Sequence, residues 1–201
     1  MTDLTHRPPS PRSPAEPFKA TGQPLPFALG DFWCWQGSDL LSNAQRGILA
    51  EYIVAKALGS APPVREEWAA LDAETADGIT VEVKSSAYLQ SWAQKRPSQI
   101  RFTIRATRRW DEDKYSRVDD VRRQAQVYVF CVFAARDKDT ANPLDLDQWE
   151  FYVLPAGVLN EKAAGQKGIG LSSLLRLGPI PTSFAGLRDA ISAASRSTIH
   201  Q

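Results

Sequence analysis

A carboxylate and an ammonium group stand two residues apart at Glu82 and Lys84, inside a segment (79–85, ITVEVKS) whose alternation predicts a β-strand. Because side chains alternate between the two faces of a strand, Glu82 and Lys84 share one face. Val81 and Val83 then form the apolar face. Such a pair on a surface strand is commonly only a solvated ion pair, so its chemistry depends on what lies beside it.

A second carboxylate, Asp72, precedes this strand in a predicted hairpin, and the length of the turn decides which face it occupies. A two-residue loop at Asp77-Gly78 would set Asp72 opposite Val83, on the wrong face. A three-residue loop at 76–78 sets it opposite Glu82, with glycine in the left-handed position of a common bulged hairpin. We expect the three-residue loop, since a one-residue slip exchanges the two faces.

Two carboxylates in this position repel each other unless a cation lies between them. Oxygen ligands and open coordination positions suit Mg²⁺ or Mn²⁺, which can activate water and stabilise charge in phosphoryl chemistry. Lys84 would orient or deprotonate the water, or stabilise the developing negative charge. Glu51 is the natural third carboxylate, and Asp72, Glu82 and Glu51 are the candidate metal ligands.

A basic segment follows the candidate metal strand. Residues 95–123 carry ten Lys or Arg and five Asp or Glu in a chain whose formal net charge is +1. Arginine suits bidentate phosphate contacts, although a solvated charged face would have the same composition. The candidate nucleic-acid contacts are Arg96, Arg101, Arg105, Arg108 and Arg109, with Gln90 as a candidate for positioning substrate. Trp92 precedes the segment and Trp110 lies within it, to stack on bases or simply to pack.

The elements that must position these side chains can be read from hydrophobic periodicity. Ser38-Asp39 is a capping pair for a helix that ends at Gly59, with a core stripe at Leu41, Ala44, Ile48, Tyr52 and Ala55. Further helices are predicted at 117–125 and 182–195, and strands at 67–73, 79–85, 99–105, 126–134 and 148–154. Residues 1–30 contain seven of the fourteen prolines and are expected to form a disordered or extended tail before one domain at 31–201. The fold class is α/β.

Glu51 on an opening helix, then Asp72, then Glu82-x-Lys84 across a hairpin resembles the PD-(D/E)xK nuclease superfamily. The family's core order, helix-strand-strand-strand-helix-strand, is similar to residues 38–134, which leaves 135–201 as peripheral additions. The resemblance implies a restriction-endonuclease-like three-layer core, a mixed central sheet flanked by helices, and a metal-dependent phosphodiesterase. It further implies Asp72 and Glu82 as metal ligands, Lys84 as the catalytic lysine and Glu51 as an accessory ligand.

The match departs from the family pattern at one residue and leaves one alternative open. Leu71 stands where the motif has its proline, the loosest part of the motif. If the register differs from the one expected, Asp77 rather than Asp72 is the acidic member.

Composition excludes several other classes of function. The two histidines, His6 and His200, lie within a few residues of the ends of the sequence, so we expect neither a histidine base nor a histidine-ligated zinc. Two cysteines outside any Cys-x-x-Cys motif do not support a disulfide scaffold. No apolar run reaches membrane-spanning length and no signal-peptide core is present, so the expected location is the cytoplasm.

These observations favour a nuclease acting on nucleic-acid phosphodiesters with Mg²⁺ or Mn²⁺, with DNA favoured over RNA and an endonuclease over an exonuclease. The alternative is a catalytically inactive subunit of the same fold that binds nucleic acid or serves in assembly. A homodimer or a partner subunit is compatible with either hypothesis. No membrane partner is expected.

Overall fold

A computed structural model describes residues 7–67, 69, 71–111 and 116–197, without the side chains of 108–111 and 116–120. Eleven strands and five α-helices lie within these residues. In chain order they are β1 (Pro17–Ala20), β2 (Gln23–Ala28), α1 (Leu29–Gly37), α2 (Asn43–Leu58), β3 (Ala73–Glu74), β4 (Thr80–Ala87), β5 (Arg101–Thr103), β6 (Thr107–Asp111), β7 (Ser116–Arg122), β8 (Val127–Phe133), β9 (Trp149–Pro155), α3 (Ala156–Lys162), β10 (Gly168–Gly170), α4 (Leu171–Arg176), β11 (Ile180–Thr182) and α5 (Leu187–Arg196).

The largest sheet has five strands in the order β11-β9-β8-β4-β3. β4 and β8 run parallel, and the other neighbours are antiparallel. Every residue of β8 is buried, as its unbroken run of aromatic and β-branched residues predicts for a strand covered on both faces. The expectation of an α/β fold with a mixed sheet flanked by helices is therefore confirmed.

Two apolar clusters cover the two faces of this sheet. Along β8, residues 127, 129, 131 and 133 join a cluster with α2 and α5, and residues 128, 130 and 132 join one with α3, α4, β5 and β10. Val81 and Val83 belong to the first cluster. Because side chains alternate, Glu82 and Lys84 project on the face of the second cluster.

The opening helix, α2, begins later than Ser38-Asp39, so the predicted start is wrong. Ser42 is its N-cap and accepts a hydrogen bond from the Gln45 backbone N–H at 3.3 Å. Gly59 ends it with a φ of +69°, as predicted, because a left-handed residue carries little strain only without a Cβ.

The buried stripe of α2 also differs from the predicted one. The buried residues are Arg46, Ala50, Ile53, Val54, Ala55 and Leu58. Ile48 and Tyr52 are exposed, and of the predicted stripe Ala55 alone is fully buried in the described structure. The helix has apolar residues on two faces, and packing against the sheet selects one of them.

The predicted helix at 117–125 is wrong, because Ser116–Arg122 is strand β7 and pairs antiparallel with β6. Val118 and Val121 have helical spacing, but pairing with a preceding strand outweighs that weak local pattern. The predicted strand at 99–105 shortens to β5 and pairs with β10, outside the central sheet. The second helix of the family-like core order is therefore not found at its expected place.

Residues 135–201, expected to be peripheral, instead supply β9 and β11 to the central sheet and α5 to its first cluster. Leu187 and Ile191 of α5 are fully buried. The predicted C-terminal helix at 182–195 is thus present, beginning five residues later. Within the part of residues 1–30 that the structure describes, β1 and β2 form a hairpin that leads into α1.

Among the described residues, no helix is both long enough and apolar enough to cross a lipid bilayer.

Candidate active site

The register of the β3–β4 hairpin places Asp72 beside Glu82. Ala73 pairs with Val81 across the two strands. One residue further from the turn, the same register sets Asp72 opposite Glu82, on the same face. The three-residue loop expected from the sequence is confirmed.

The turn itself shows why this register forms. The Thr75 backbone N–H donates to the Ile79 carbonyl at 3.0 Å, which closes a loop of three residues. Gly78 adopts a φ of +83°, a left-handed conformation that favours glycine. Asp77 lies at the exposed tip of this turn, and the charged side chain that acts on it is Arg188. The structure therefore places Asp72, and not Asp77, beside Glu82.

The Asp72 side chain continues the hairpin where β3 stops. β3 has only two residues, so the Val83 backbone N–H has no strand partner at that point. Asp72 Oδ2 accepts a hydrogen bond from this N–H at 2.7 Å. The carboxylate is thereby held on the edge of β4 in one orientation.

Glu82 and Lys84 form a salt bridge in which Lys84 Nζ donates to Glu82 Oε1. Both side chains are about one quarter exposed (24% and 27%), so solvent can reach them. Glu82 stands next to Tyr128 and Lys84 next to Phe130 in the parallel pairing with β8. The pair thus lies on a paired strand of the central sheet and not on a loop.

The pKa of Asp72 is raised to about 6. Burial is the main cause, because it disfavours the charged form, and the negative charge of Glu82 adds to it. The Val83 N–H and the Lys84 ammonium oppose this shift, because each of them lowers the pKa. Strong perturbation by burial and a like charge is a common property of functional carboxylates.

Glu51 lies at the rim of this site rather than within it. α2 packs on the opposite face of the sheet, and the charge of Glu51 is the weakest of the influences on Asp72. Glu51 Oε2 accepts a hydrogen bond from Arg65 Nε at 2.7 Å. Glu51 was expected to be a third carboxylate of the site. It lies close enough to influence Asp72, but its carboxylate is engaged in a salt bridge with Arg65.

Arg65 was not predicted from the sequence. Its pKa is raised first by the hydrogen bond to Glu51 and further by the charges of Asp72 and Glu67. It therefore faces the acidic group from the segment between α2 and β3. No pattern in that segment marks it, because two neighbouring glutamates give it the composition of an ordinary charged loop.

The donor chemistry of the pair Asp72 and Glu82 fits a hard divalent cation. Both offer oxygen ligands only, and their mutual repulsion favours a cation between them. Among the residues that the structure describes, no group of three or more His, Cys, Asp or Glu side chains converges on one point. Mg²⁺ does not require such a group, since it is commonly held by one or two carboxylates, waters and substrate phosphates.

The predicted nucleic-acid contacts separate into three groups. Arg96, Arg101 and Arg105 are exposed. Arg108 and Arg109 lie in β6, but their side chains fall outside the described residues. Gln90 is buried, and its Nε2 donates to the carbonyl of Ala87 at 3.2 Å. Gln90 therefore braces the end of β4 from a buried position.

One arginine of the basic segment lies in the core and not on its surface. Arg123 is buried, and its guanidinium donates to the Ile104 carbonyl, Asn160 Oδ1 and the Ala163 carbonyl at 2.9, 2.9 and 3.0 Å. This arginine anchors α3 to the core. Composition alone cannot distinguish it from its exposed neighbours.

Two loops meet at the carboxyl ends of the parallel strands β4 and β8. Lys138, in the loop after β8, donates from Nζ to the Trp92 carbonyl at 2.5 Å. Arg136 stacks over the Tyr88 ring, with 3.8 Å between the guanidinium carbon and the ring centroid. Trp92 is more than half exposed. The structure thus adds Arg136 and Lys138, which the sequence analysis did not select, to an aromatic and basic surface at this edge.

No protein-family model and no curated protein matches this chain. The site itself has two facing carboxylates, one of them with a raised pKa. A lysine is bound to the other carboxylate, and an exposed basic surface lies on the loop that follows the strand.

Proposed function

We propose that this protein is a metal-dependent nuclease that hydrolyses DNA phosphodiester bonds, with a restriction-endonuclease-like core of the PD-(D/E)xK type. One observation carries the proposal: the β3–β4 register sets Asp72 opposite Glu82, and Lys84 is bound to Glu82 on the same face. Salt-bridged carboxylates are common on protein surfaces, but a half-buried carboxylate with a raised pKa facing a second one is not a stabilising arrangement.

Asp72 and Glu82 are the proposed ligands of Mg²⁺ or Mn²⁺. When bound, such an ion supplies Lewis-acid activation of water and stabilises negative charge on the phosphoryl oxygens. Asp72 is already oriented by the Val83 N–H, so little reorganisation is needed at that ligand. Its raised pKa makes ion binding weaker below about pH 6, where the carboxyl is increasingly protonated.

Lys84 is the proposed catalytic lysine. Its ammonium group, now bound to Glu82, would orient the attacking water and stabilise charge developing on the scissile phosphate. The position on a buried sheet holds it near both carboxylates. Glu51 is proposed as an accessory group that tunes the charge of the site through Arg65.

The surface at the carboxyl end of β4 supports a nucleic-acid substrate. Arg96, Arg136 and Lys138 are exposed on the two loops that meet there, and Trp92, on the first of these loops, is more than half exposed. Lys84 precedes the end of β4 by three residues, or about 10 Å of strand. A phosphate backbone bound by these cations would therefore pass close to the candidate site.

The second candidate is a nuclease-fold subunit that binds nucleic acid without cutting it. The observation that favours it is the pairing of the acids with cations in the protein itself, Glu82 with Lys84 and Glu51 with Arg65. In a non-catalytic domain these pairs would neutralise the cluster permanently. Divalent ions would then neither bind nor stabilise the fold.

The test is cleavage of supercoiled plasmid and of single-stranded DNA in Mg²⁺ and in Mn²⁺. Wild type is compared with Lys84→Ala and with the matched control Lys162→Ala, an exposed lysine at the end of α3. We expect metal-dependent nicking by the wild type and the control that Lys84→Ala loses. Cutting that persists in Lys84→Ala would assign it to another site or a contaminant.

A thermal-shift titration with the same ions separates the two candidates when no cutting is seen. An increase in the melting temperature with Mn²⁺ that is absent in Asp72→Ala would support the proposed metal site. No shift in the wild type, together with binding of DNA, would favour the non-catalytic subunit.

A further inference from the structure

The N-terminal segment 17–37, comprising β1, β2 and α1 and here named the aromatic arm, exposes five large aromatic side chains. Trp35 is 83% exposed, and the other four are between 40% and 45% exposed: Phe18, Phe27, Phe32 and Trp33. Aromatic side chains at this density are uncommon on a free surface and mark contact regions.

The arm has no core of its own. All of residues 17–37 are described, and none of them is buried. Phe18 and Phe27 pack on one side of the hairpin with 4.9 Å between ring centroids. Gln45 Nε2 of α2 donates to the Gln36 carbonyl at 3.2 Å and ties the end of the arm to the domain. A two-stranded hairpin is marginal by itself, so ordering the arm calls for burial that its own chain does not supply.

The outer face of α2 is a second exposed apolar surface next to the arm. Ile48 and Tyr52 lie one helical turn apart on this face and are 39% and 55% exposed. Lys56 lies over the Tyr52 ring, 5.3 Å from its centroid. The sequence pattern marks these residues as core, yet the sheet packs on the other side of the helix.

Charge argues that the occupant of the arm is a protein rather than a nucleic acid. Segment 17–37 contains two charged residues, Lys19 and Asp31. The Asp31 carboxylate accepts a hydrogen bond from the Ala28 N–H at 2.7 Å, within the arm. A surface with a single lysine cannot neutralise several phosphates, whereas a second apolar surface complements it.

The exposed area agrees with a second copy of this chain as that occupant. At about 200 Å² for each large side chain, the five aromatic residues of the arm expose about 500 Å². The outer face of α2 brings the total to about 700 Å², close to the ~800 Å² that each partner contributes to a standard stable interface. Both surfaces belong to one chain, so a twofold arrangement buries each of them twice.

We propose that the protein is a homodimer in which the aromatic arm of one copy packs on the outer face of α2 of the other, and the reverse. This interface is independent of the proposed nuclease activity. It gives Ile48, Tyr52 and the five aromatic residues a burial that the single chain lacks.

Sedimentation equilibrium of the full chain tests the proposal with Trp35→Ser, Tyr52→Ser and the matched control Trp92→Ser. We expect a wild-type dimer in the micromolar range, a dissociation constant at least about tenfold higher for the first two variants, and no change for the control, since aromatic residues dominate interface energies. In the double variant Trp35→Ser/Tyr52→Ser, the dissociation constant should rise by less than the product of the two single-variant factors. The reason is that the proposed interface brings the arm of one copy into contact with α2 of the other.

The two cysteines report on folding and on the interface in the same samples. Cys34 of the arm is exposed and Cys131 is buried, so a maleimide reagent labels Cys34 alone while the protein is folded. We expect Cys34 to react more slowly in the wild-type dimer than in Tyr52→Ser, with Cys131 unlabelled in both. A monomeric wild type, or a dimer that both variants retain with unchanged Cys34 labelling, would overturn the proposal.

Discussion

Asp72 and Asp77 are five residues apart in one hairpin, and the pKa values of their carboxyl groups are shifted in opposite directions. Burial and the charge of Glu82 raise the pKa of Asp72 to about 6. A hydrogen bond from the Thr75 side chain, its own backbone N–H and the charge of Arg188 lower the pKa of Asp77. The ionised form of Asp72 is therefore unfavourable at the strand end, whereas the ionised form of Asp77 stabilises the turn. Position in the hairpin, not residue type, therefore distinguishes the candidate functional acid from a turn residue.

The largest expected effect is the loss of cleavage when the strand-end acid is neutralised. Asp72→Asn should reduce the nicking rate by about 10²-fold or more, since it removes a proposed metal ligand. Asp77→Asn should remain within about twofold of the wild type, because the turn does not contact the site. Plasmid nicking in Mn²⁺ measures both. Equal losses in the two variants would contradict the distinction between the two acids.

The second effect is on stability as a function of pH in metal-free buffer. The pKa of Asp72 is about 6 in the folded state against 3.8 for the ordinary group, so the native state binds more protons between these values. The stabilisation from this extra proton is fully present below about pH 4 and is lost as the pH rises through about 6. The free energy of unfolding should therefore decrease by up to about 3 kcal/mol over this range.

Urea unfolding of the wild type, Asp72→Asn and Asp77→Asn measures this dependence. We expect Asp72→Asn to lose the decrease in the free energy of unfolding between about pH 4 and 6, since it has no proton to release. Asp77→Asn should keep that decrease. For Asp77 the lowered pKa has the opposite sign: its stabilisation is present above its unfolded pKa and is lost on acidification. A decrease that persists in Asp72→Asn would assign it to another group.

A smaller effect is expected from the cations that face the two acids. Arg65→Gln removes a positive charge that acts on Glu51 and Asp72, so Mn²⁺ should bind about threefold to tenfold more tightly at pH 8. Arg188→Gln in α5, whose charge acts on Asp77 of the turn, is the matched control and should leave Mn²⁺ binding unchanged. It should lower the melting temperature, because Arg188 donates to the Leu58 carbonyl at the end of α2. Calorimetric titration and thermal unfolding distinguish the two, and equal Mn²⁺ affinities in all three proteins would contradict the role of Arg65.

The smallest effect is expected at Glu51. Glu51→Gln should lower the nicking rate by only a few-fold, since Glu51 lies at the rim and is already paired with Arg65. A loss as large as that of Asp72→Asn would show that Glu51 is a direct ligand in the substrate complex. Nicking at saturating Mn²⁺ separates a weakened metal site from a slower chemical step.

The parts of the site that the sequence predicts are those with local causes. The alternation of Val81 and Val83 with Glu82 and Lys84 sets their faces, and the glycine at 78 sets the loop length. Both act over a few residues, and the structure has the predicted register. The start of α2, its buried face and the element at 117–125 were predicted wrongly. In those cases two local patterns compete, and contacts distant in sequence decide between them.

Local sequence specifies the hairpin, the mixed α/β class and the residue types of the candidate hard-cation site, because turn chemistry and side-chain alternation need no distant partner. Long-range packing pairs Arg65 with Glu51, buries Gln90 and Arg123, and adds β9, β11 and α5 to the core. Burial and ion pairing depend on which surfaces meet. Those meetings follow from packing the whole chain, not from any window along it.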